Sequence, residues 1–97
     1  MRHEIVLAPE AVQDLRRLKA HVRATVRDAI EAHLRHQPTR TSKSRIKRLR
    51  GLSRPQFRLR VGELRIFYDV SERTVEVLAV ILKSGADAWL KKEGERT

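Results

Sequence analysis

The chain has 97 residues, and its 22 Lys and Arg residues against 12 Asp and Glu residues give a formal net charge of +10. This length predicts one domain over residues 1–97 and excludes a two-domain enzyme or a long repeat array. The absence of cysteine excludes disulfides, thiolate nucleophiles and cysteine-based zinc sites. No apolar run approaches the roughly 18 residues that span a bilayer, and the N-terminus does not resemble a signal peptide. We therefore expect a cytoplasmic protein with no membrane partner.

The first 38 residues predict a strand followed by two helices. Residues 3–7 are short and rich in β-branched side chains, which is typical of a strand, and Pro9 suits the first turn of a helix. Apolar side chains then recur every three or four residues, with a change of phase near residue 20. This pattern predicts antiparallel helices over about 10–18 and 21–36, or one bent helix, ending before Pro38.

Residues 39–54 are polar and basic, with few apolar side chains. Ile46, Leu49 and Leu52 are the apolar side chains of this segment that could contact a core. We expect a loop that contains a short strand or turn and packs on the core at these three residues.

Alternation of apolar and polar side chains begins at residue 56 and predicts a hairpin. One strand ends at Val61, Gly62 and Glu63 form the turn, and the second strand covers residues 64–70.

The remaining chain predicts a central strand and a short helix. Residues 74–82 are apolar on both faces except at Glu76, as expected of a strand with neighbours on both sides. Gly85 is expected to end this strand, and residues 86–90 are expected to form the helix. The order is β-α-α-β-β-β-α, an α+β fold in which an N-terminal strand and a helical hairpin accompany a three-stranded antiparallel meander.

Nearly all of the net charge lies in one quarter of the chain. Residues 40–65 contain ten Lys or Arg and one acidic residue, Glu63, so this segment carries +9 and the rest of the chain +1. Such a concentration of positive charge is typical of a protein that binds nucleic acid. The alternative is a solvated surface whose arginine content reflects the base composition of the genome.

Strand alternation places Arg58 and Arg60 on the same face, about 6.6–7 Å apart. A turn centred on Gly62 predicts Arg60 opposite Leu64, and a register shift of one residue would change the face that Arg65 shares. Three guanidinium groups on one face repel one another, and a phosphate would relieve that repulsion.

The alternative is that these arginines are solvated surface residues with acidic partners. The available carboxylates in the same strands and turns are those of Glu63, Asp69 and Glu76.

Four stretches resemble the RelE/ParE superfamily of bacterial toxins: residues 5–15, 48–52, 57–68 and 75–80. The most specific is the pattern LRG followed by FRLRVGELRIFY. The resemblance covers essentially the whole chain. It implies a toxin of a type II toxin–antitoxin system that a cognate antitoxin holds inactive, with contacts expected on the helical hairpin and on the arginine face.

The superfamily contains two activities. RelE-like members cut mRNA in the ribosomal A site without a metal, and ParE-like members inhibit DNA gyrase. The resemblance favours the RelE-like endoribonuclease, with mRNA and the ribosome as partners and no cofactor. A gyrase inhibitor and an inactive member that still binds antitoxin or nucleic acid are the alternatives.

The resemblance assigns catalytic positions to Arg58, Arg60, Arg65 and Lys83, and it places Trp89 near the position of a C-terminal tyrosine. The arginines can stabilise charge on a phosphate, but an arginine does not readily give up a proton and tryptophan does not titrate.

The resemblance leaves the general base and the general acid unassigned. Lys83 is the best candidate, provided that the surrounding positive charge lowers the pKa of its amine. Tyr68 is a second candidate, although strand alternation favours a position in the core.

Further basic and aromatic side chains are predicted to bind RNA; these are Arg45, Lys47, Arg48, Arg50, Arg54 and Trp89. Trp89 has packing on the sheet as its alternative. His33 and His36 are neighbours on a helix but lack a third ligand, so no metal site is predicted.

Overall fold

A computed structural model of the chain describes residues 2–97. Three helices and seven strands lie within these residues. In chain order they are β1 (Glu4–Leu7), α1 (Pro9–Arg16), α2 (Ala20–Leu34), β2 (Ile46–Arg48), β3 (Leu52–Arg54), β4 (Phe57–Val61), β5 (Leu64–Val70), β6 (Thr74–Leu82), α3 (Lys83–Glu93) and β7 (Glu95–Arg96). No helix in this part of the chain is both long and apolar enough to cross a membrane.

The main sheet has five strands in the order β1-β6-β5-β4-β2. β1 pairs with β6 in parallel, and the other neighbours are antiparallel. A parallel pair needs a long connection, and here α1, α2 and the β2–β5 segment lie between β1 and β6 along the chain. β3 and β7 form a separate two-stranded sheet. The predicted α+β class and its element order are confirmed.

The N-terminal helices are two separate helices rather than one bent helix. α1 begins at Pro9 and ends at Arg16, and α2 begins four residues later. The guanidinium group of Arg23 on α2 donates to the carbonyl oxygens of Leu15 and Leu18, at 3.4 and 3.3 Å. Because carbonyls at a helix end lack partners within the helix, these bonds stabilise the turn between α1 and α2.

The core lies between this helical hairpin and one face of the main sheet. Val26, Ile30 and Leu34 of α2 are buried in the same cluster as the inward-facing residues of β4, β5 and β6. Tyr68 is fully buried there and donates its hydroxyl to the carbonyl oxygen of Pro38 at 2.7 Å. This bond ties the segment after α2 to the centre of the sheet.

The β4–β5 hairpin has a two-residue turn, Gly62 and Glu63, with Gly62 at φ +56°. A two-residue turn pairs Val61 with Leu64, so Arg60 lies opposite Arg65. The predicted pairing of Arg60 with Leu64 was wrong by one residue, because it centred the turn on a single glycine. The correct register puts Arg58, Arg60 and Arg65 on the same face.

The basic segment before β4 contains both β2 and β3. β2 adds an edge strand to β4, with Ile46 opposite Leu59. Ile46 is buried in the core cluster, as predicted. Leu49 and Leu52 are half-buried but lie outside that cluster, so the predicted core contacts of these two residues were wrong.

The C-terminal helix is longer than predicted. α3 begins at Lys83, directly after β6, and contains Gly85 instead of starting after it. The backbone N–H of Lys83 donates to the carbonyl oxygen of Glu63 at 2.7 Å, which satisfies one of the unpaired donors of the first helical turn. Trp89 of α3 stacks on Phe67 of β5. These tertiary contacts outweigh the weak helix propensity of glycine.

Candidate phosphate-binding cleft

A cleft of about 310 Å³ lies between α3 and the sheet face opposite the core. Side chains from β4, β5 and α3 line it, among them Arg58, Arg65, Phe67, Lys83, Asp87 and Leu90. We call this the arginine cleft. It brings together three of the four residues that the sequence predicted to be catalytic: Arg58, Arg65 and Lys83.

Arg65 is held rigidly at the base of the cleft. It is only 7% exposed, and one guanidinium nitrogen, Nη1, donates to the carbonyl oxygens of Gly62 and Leu64, both at 2.9 Å. The hairpin turn therefore supplies acceptors for one edge of the guanidinium. No carboxylate of residues 2–97 forms an ion pair with it.

Arg58 lies beside Arg65 on the neighbouring strand and is only half-buried. Its Nη2 donates to the carbonyl oxygen of Ser44 at 3.3 Å, whereas its Nε is buried and has no hydrogen-bond partner among the described residues. Burial lowers the pKa of the Arg58 guanidinium, and the charges of Arg65 and Arg60 lower it further. An anion in the cleft would relieve both costs.

The carboxylates of Glu63, Asp69 and Glu76, which the sequence offered as partners for these arginines, do not form ion pairs with Arg58 or Arg65. Asp69 and Glu76 each lie 3.4 Å from Nη1 of Arg54, and Glu95 lies 3.7 Å from Nε of the same residue. Within residues 2–97, Glu63 makes no ion pair. The arginine cleft therefore keeps its positive charge.

Arg60 is exposed and does not line the arginine cleft. Its Cα lies opposite that of Arg65, but its side chain lines a neighbouring groove at the edge of the sheet, together with Ser44 and Arg45. The structure thus separates one predicted catalytic residue from the other three.

Besides Ala86, two further cleft residues on α3 were not predicted from the sequence. Asp87 and Leu90 line the cleft, and they follow Lys83 by four and seven residues, which places all three on one side of a helix. These residues were missed because the sequence did not predict that α3 begins at Lys83. With a helix that begins at residue 86, Lys83 lies outside the helix and its position relative to Asp87 and Leu90 is not defined.

Trp89 points away from the arginine cleft. Its ring stacks on that of Phe67, with the ring centroids 4.9 Å apart and an angle of 11° between the planes. Trp89 also lines a different cleft, together with Ala8 and Pro55. Among the aromatic and apolar residues near the C-terminus, Leu90 rather than Trp89 faces the arginines. The arrangement agrees with the packing alternative for Trp89.

Tyr68 lies on the opposite side of the sheet, in the core, as strand alternation predicted. Burial raises the pKa of its phenol well above the usual range. Its hydroxyl is also committed to Pro38, so Tyr68 is remote from the cleft and unsuited to proton transfer there.

The residues predicted to bind RNA occupy different surroundings. Lys47 is exposed, and its Cα lies opposite that of Arg58, so both side chains share the arginine face. The guanidinium of Arg48 lies 5.1 Å from the ring centroid of Phe57, and Arg50 is exposed.

Arg54 and Arg45 differ from these in having polar or charged side-chain partners. Arg54 contacts the three carboxylates described above, so its charge is neutralised inside the protein. Arg45 is exposed, and its Nη1 lies 2.7 Å from Nε2 of His33.

No cluster of three or more His, Cys, Asp or Glu side chains occurs within residues 2–97. The charged side chains that line the arginine cleft are two guanidinium groups, one amine and one carboxylate.

Comparison with known proteins places this geometry in a family. The family model described as the ParE toxin of the type II toxin–antitoxin system parDE matches residues 5–86. No curated protein matches the chain.

Solved structures with the same fold come from bacteria and archaea. The toxin–antitoxin complex RelBE2 from Mycobacterium tuberculosis contains a chain with 25% identity and a TM-score of 0.69, covering 84% of this chain and 99% of that one. The RelB–RelE complex from Methanococcus jannaschii contains a chain with 23% identity and a TM-score of 0.63, covering 87% and 96%. The RelE–RelB complex from Pyrococcus horikoshii contains one with 20% identity and a TM-score of 0.64, covering 86% and 97%.

The last two similarities are below 25% identity and therefore support the fold alone. The assignment to a family rests on the family model. Its match extends from β1 into α3 and includes Arg58, Arg65 and Lys83. The chain therefore belongs to the ParE toxin family of type II toxin–antitoxin systems, within the RelE/ParE superfamily that its sequence motifs indicated.

Proposed function

We propose that this toxin inhibits translation by cutting mRNA without a metal, and that the arginine cleft binds the scissile phosphate. The observation that carries the proposal is the pair Arg58 and Arg65, which lie side by side with no carboxylate partner within residues 2–97. The buried Nε–H of Arg58 has no hydrogen-bond partner among the same residues. It could donate a hydrogen bond to a phosphate oxygen.

Cleavage would proceed by attack of the ribose 2′-oxygen on the adjacent phosphorus. The new bond joins the 2′-oxygen to phosphorus and the bond from phosphorus to the 5′-oxygen breaks, leaving a 2′,3′-cyclic phosphate and a 5′-hydroxyl. Negative charge develops on the phosphate oxygens in the transition state. Arg58 and Arg65, fixed by the sheet and the hairpin turn, would stabilise that charge without rearranging.

The reaction also moves two protons. A base must remove the proton of the 2′-hydroxyl, and an acid must protonate the leaving 5′-oxygen. Lys83 and Asp87 are the candidates, because both line the cleft. A carboxylate accepts protons and an ammonium group donates them, so we assign the base to Asp87 and the acid to Lys83. This assignment replaces the sequence-based expectation that Lys83 is the base.

A cognate antitoxin is the second partner. Solved relatives are described as complexes of RelE with RelB, and we propose that the antitoxin of this chain prevents mRNA from reaching the arginine cleft. An acidic segment would suit the positive face that the antitoxin has to cover.

The test is induction of the toxin without its antitoxin, followed by mapping of transcript 5′ ends. Wild type should arrest growth and produce new 5′ ends, whereas Arg58→Gln and Lys83→Gln should reduce cleavage by about two orders of magnitude or more. Arg73→Gln, which removes a positive charge at an exposed turn remote from the cleft, is the matched control. Growth arrest with intact transcripts would overturn the proposal.

A gyrase inhibitor is the second candidate function, and one observation favours it. The aromatic side chain that lines the cleft, Phe67, cannot titrate and is already stacked on Trp89. Near the C-terminus the cleft is lined by the apolar Leu90 rather than by a tyrosine. In that case purified toxin should inhibit DNA supercoiling by gyrase while transcripts stay intact. Full supercoiling activity at a molar excess of toxin would exclude it, and induction without growth arrest would indicate an inactive member of the family.

A further inference from the structure

A second group of positive side chains lies outside the arginine cleft, where the end of α2 meets the loop before β2. His33, His36, Arg40 and Arg45 line a groove of about 360 Å³ there. We call it the histidine–arginine groove. Neither histidine was assigned a role in binding RNA from the sequence.

No carboxylate lines this groove. Arg40 donates to the side-chain carbonyl of Gln37 at 3.0 Å, and Arg45 contacts His33, so both guanidinium groups are oriented by neutral partners. The nearby carboxylate of Glu31 is paired with Arg35. Two guanidinium groups without a counter-ion repel each other and favour the binding of an anion.

The groove is connected to the arginine cleft through the edge of the sheet. Arg45 also lines the neighbouring groove that contains Arg60. The backbone N–H of Arg60 donates to the carbonyl oxygen of Arg45 at 2.8 Å, and Arg58 donates to the carbonyl oxygen of Ser44. A path of guanidinium groups therefore runs from Arg58 through Arg60 to Arg45 and Arg40.

The shape and charge of this path suit one kind of ligand. Repeated phosphates on a flexible backbone can follow a curved series of guanidinium groups, as a single strand does and a rigid duplex does not. We propose that the histidine–arginine groove is a second phosphate-binding site, which holds the same single-stranded RNA a few nucleotides away from the scissile phosphate. This inference rests on the proposed function and extends its substrate-binding surface.

His33 makes binding at this site sensitive to pH. Burial lowers the pKa of His33, and the charge of Arg45 lowers it further. The other charged or titratable groups that line the groove are His36 on the same helix and Arg40 on the loop. Nε2 of His33 can accept from Arg45 only while the imidazole is neutral. A phosphate bound beside both groups replaces that contact and offsets the positive charge of the protonated imidazole, so RNA binding takes up a proton and strengthens as the pH falls.

The experiment measures the affinity of purified toxin for two fluorescent RNAs, a trinucleotide and a longer oligonucleotide. Every 2′-hydroxyl is methylated so that the RNA cannot be cut. The double variant Arg40→Gln/Arg45→Gln should bind the longer RNA roughly tenfold more weakly and the trinucleotide as wild type does. Arg16→Gln/Arg73→Gln removes the same charge from exposed positions away from the groove and serves as control.

The outcomes separate the two proposals. If Arg58→Gln weakens both RNAs but Arg40→Gln/Arg45→Gln behaves like the control, the histidine–arginine groove is not an RNA site and the proposed function stands. If wild type binds neither RNA, or if Arg58→Gln changes neither affinity, the proposed function fails.

A second measurement tests the role of His33. Wild type should bind the longer RNA more tightly at about pH 5.5 than at about pH 7.5, a range that spans the ordinary titration of histidine, and His33→Gln should lose part of that dependence. An equal pH dependence in wild type and His33→Gln would overturn the assignment of His33.

Discussion

At the scale of single residues, the arginine cleft shows a conflict between stability and function. Arg58 is half-buried with an unpartnered Nε and two positive neighbours, and both burial and repulsion lower the pKa of its guanidinium. Apart from the hydrogen bond to Ser44, no ion pair within residues 2–97 offsets that cost. Residues held in unfavourable surroundings of this kind are typical of binding and catalytic sites.

Arg58→Gln should therefore stabilise the fold while strongly reducing activity. Removing the charge relieves both the repulsion and the desolvation, and we expect a gain of about 1 kcal/mol, or roughly 4–8 °C in Tm. Thermal unfolding measures the gain and toxin induction measures the activity. Arg73→Gln, at an exposed turn, should leave Tm almost unchanged, and a lower Tm for Arg58→Gln would contradict the interpretation.

Tyr68 has the opposite character, because its buried polar atom is satisfied. Its hydroxyl donates to the carbonyl oxygen of Pro38 at 2.7 Å. Tyr68→Phe should leave that carbonyl without its donor and reduce the free energy of unfolding by about 1–3 kcal/mol. Chemical denaturation measures the loss. RNA binding should be unaffected, since Tyr68 faces the core, and a loss of binding without a loss of stability would contradict this placement.

At the scale of elements, the side chain of Arg54 joins β3 to the main sheet and to β7. It contacts Asp69 on β5, Glu76 on β6 and Glu95 on β7. Asp69 also accepts a hydrogen bond from the backbone N–H of Gln56 at 2.8 Å. The carboxylates of Glu76 and Glu95 crowd Asp69, so the junction contains more negative charge than Arg54 neutralises.

This junction makes stability depend on pH through Asp69. Burial, more than its carboxylate neighbours, raises the pKa of Asp69 above the ordinary value of 3.8, against the opposing effects of Gln56 and Arg54. The folded protein therefore holds the proton more tightly than the unfolded chain. The contribution of Asp69 to stability is fully present below the ordinary pKa and is lost as the pH rises through the raised value.

Asp69→Asn removes the titrating carboxyl group. The variant should become more stable relative to wild type as the pH rises from about 3.5 to about 7. Urea unfolding at several pH values measures the difference in free energy. Glu72→Gln, in the exposed turn after β5, controls for the change in net charge. A difference that stayed constant or reversed with pH would contradict the expected sign.

At the scale of the whole molecule, one face of the main sheet forms the core and the other face carries the candidate binding site. One face packs on α1 and α2 and forms the core. The other carries the arginines and is only partly covered by α3. The +9 segment contains β2, β3, β4 and the start of β5, so most of the net charge lies along the β4–β2 edge of the main sheet and the loop before it.

This asymmetry predicts a strong dependence of RNA binding on salt. Each phosphate neutralised on a single strand contributes about 0.7 to the slope of log affinity against log salt concentration. Contacts along both the arginine cleft and the histidine–arginine groove should give a slope steeper than about −2 for the longer RNA. Titrations at several salt concentrations measure it, and a slope near −0.7 would indicate a single phosphate contact.

Much of the site was predictable from alternation along the strands. The period of two placed Arg58 and Arg60 on one face of their strand and Tyr68 in the core. The register, the start of α3 and the ion pairs of Arg54 were not predictable, because each depends on contacts between segments distant in sequence. Asp87 and Leu90 were missed for the same reason, since only the docked helix brings them to the cleft.

The sequence by itself determined the α+β class, the family and the concentration of positive charge, because periodicity, motifs and composition are local properties of the chain. Only the tertiary structure decided which charges remain available. Docking α3 on Phe67 closes the cleft around Arg58, Arg65 and Lys83, and folding brings three carboxylates to Arg54 while leaving Arg58 and Arg65 with none of the described ones. The energy of a charge depends on its distance from others and on its exposure to water, and both are set by the fold.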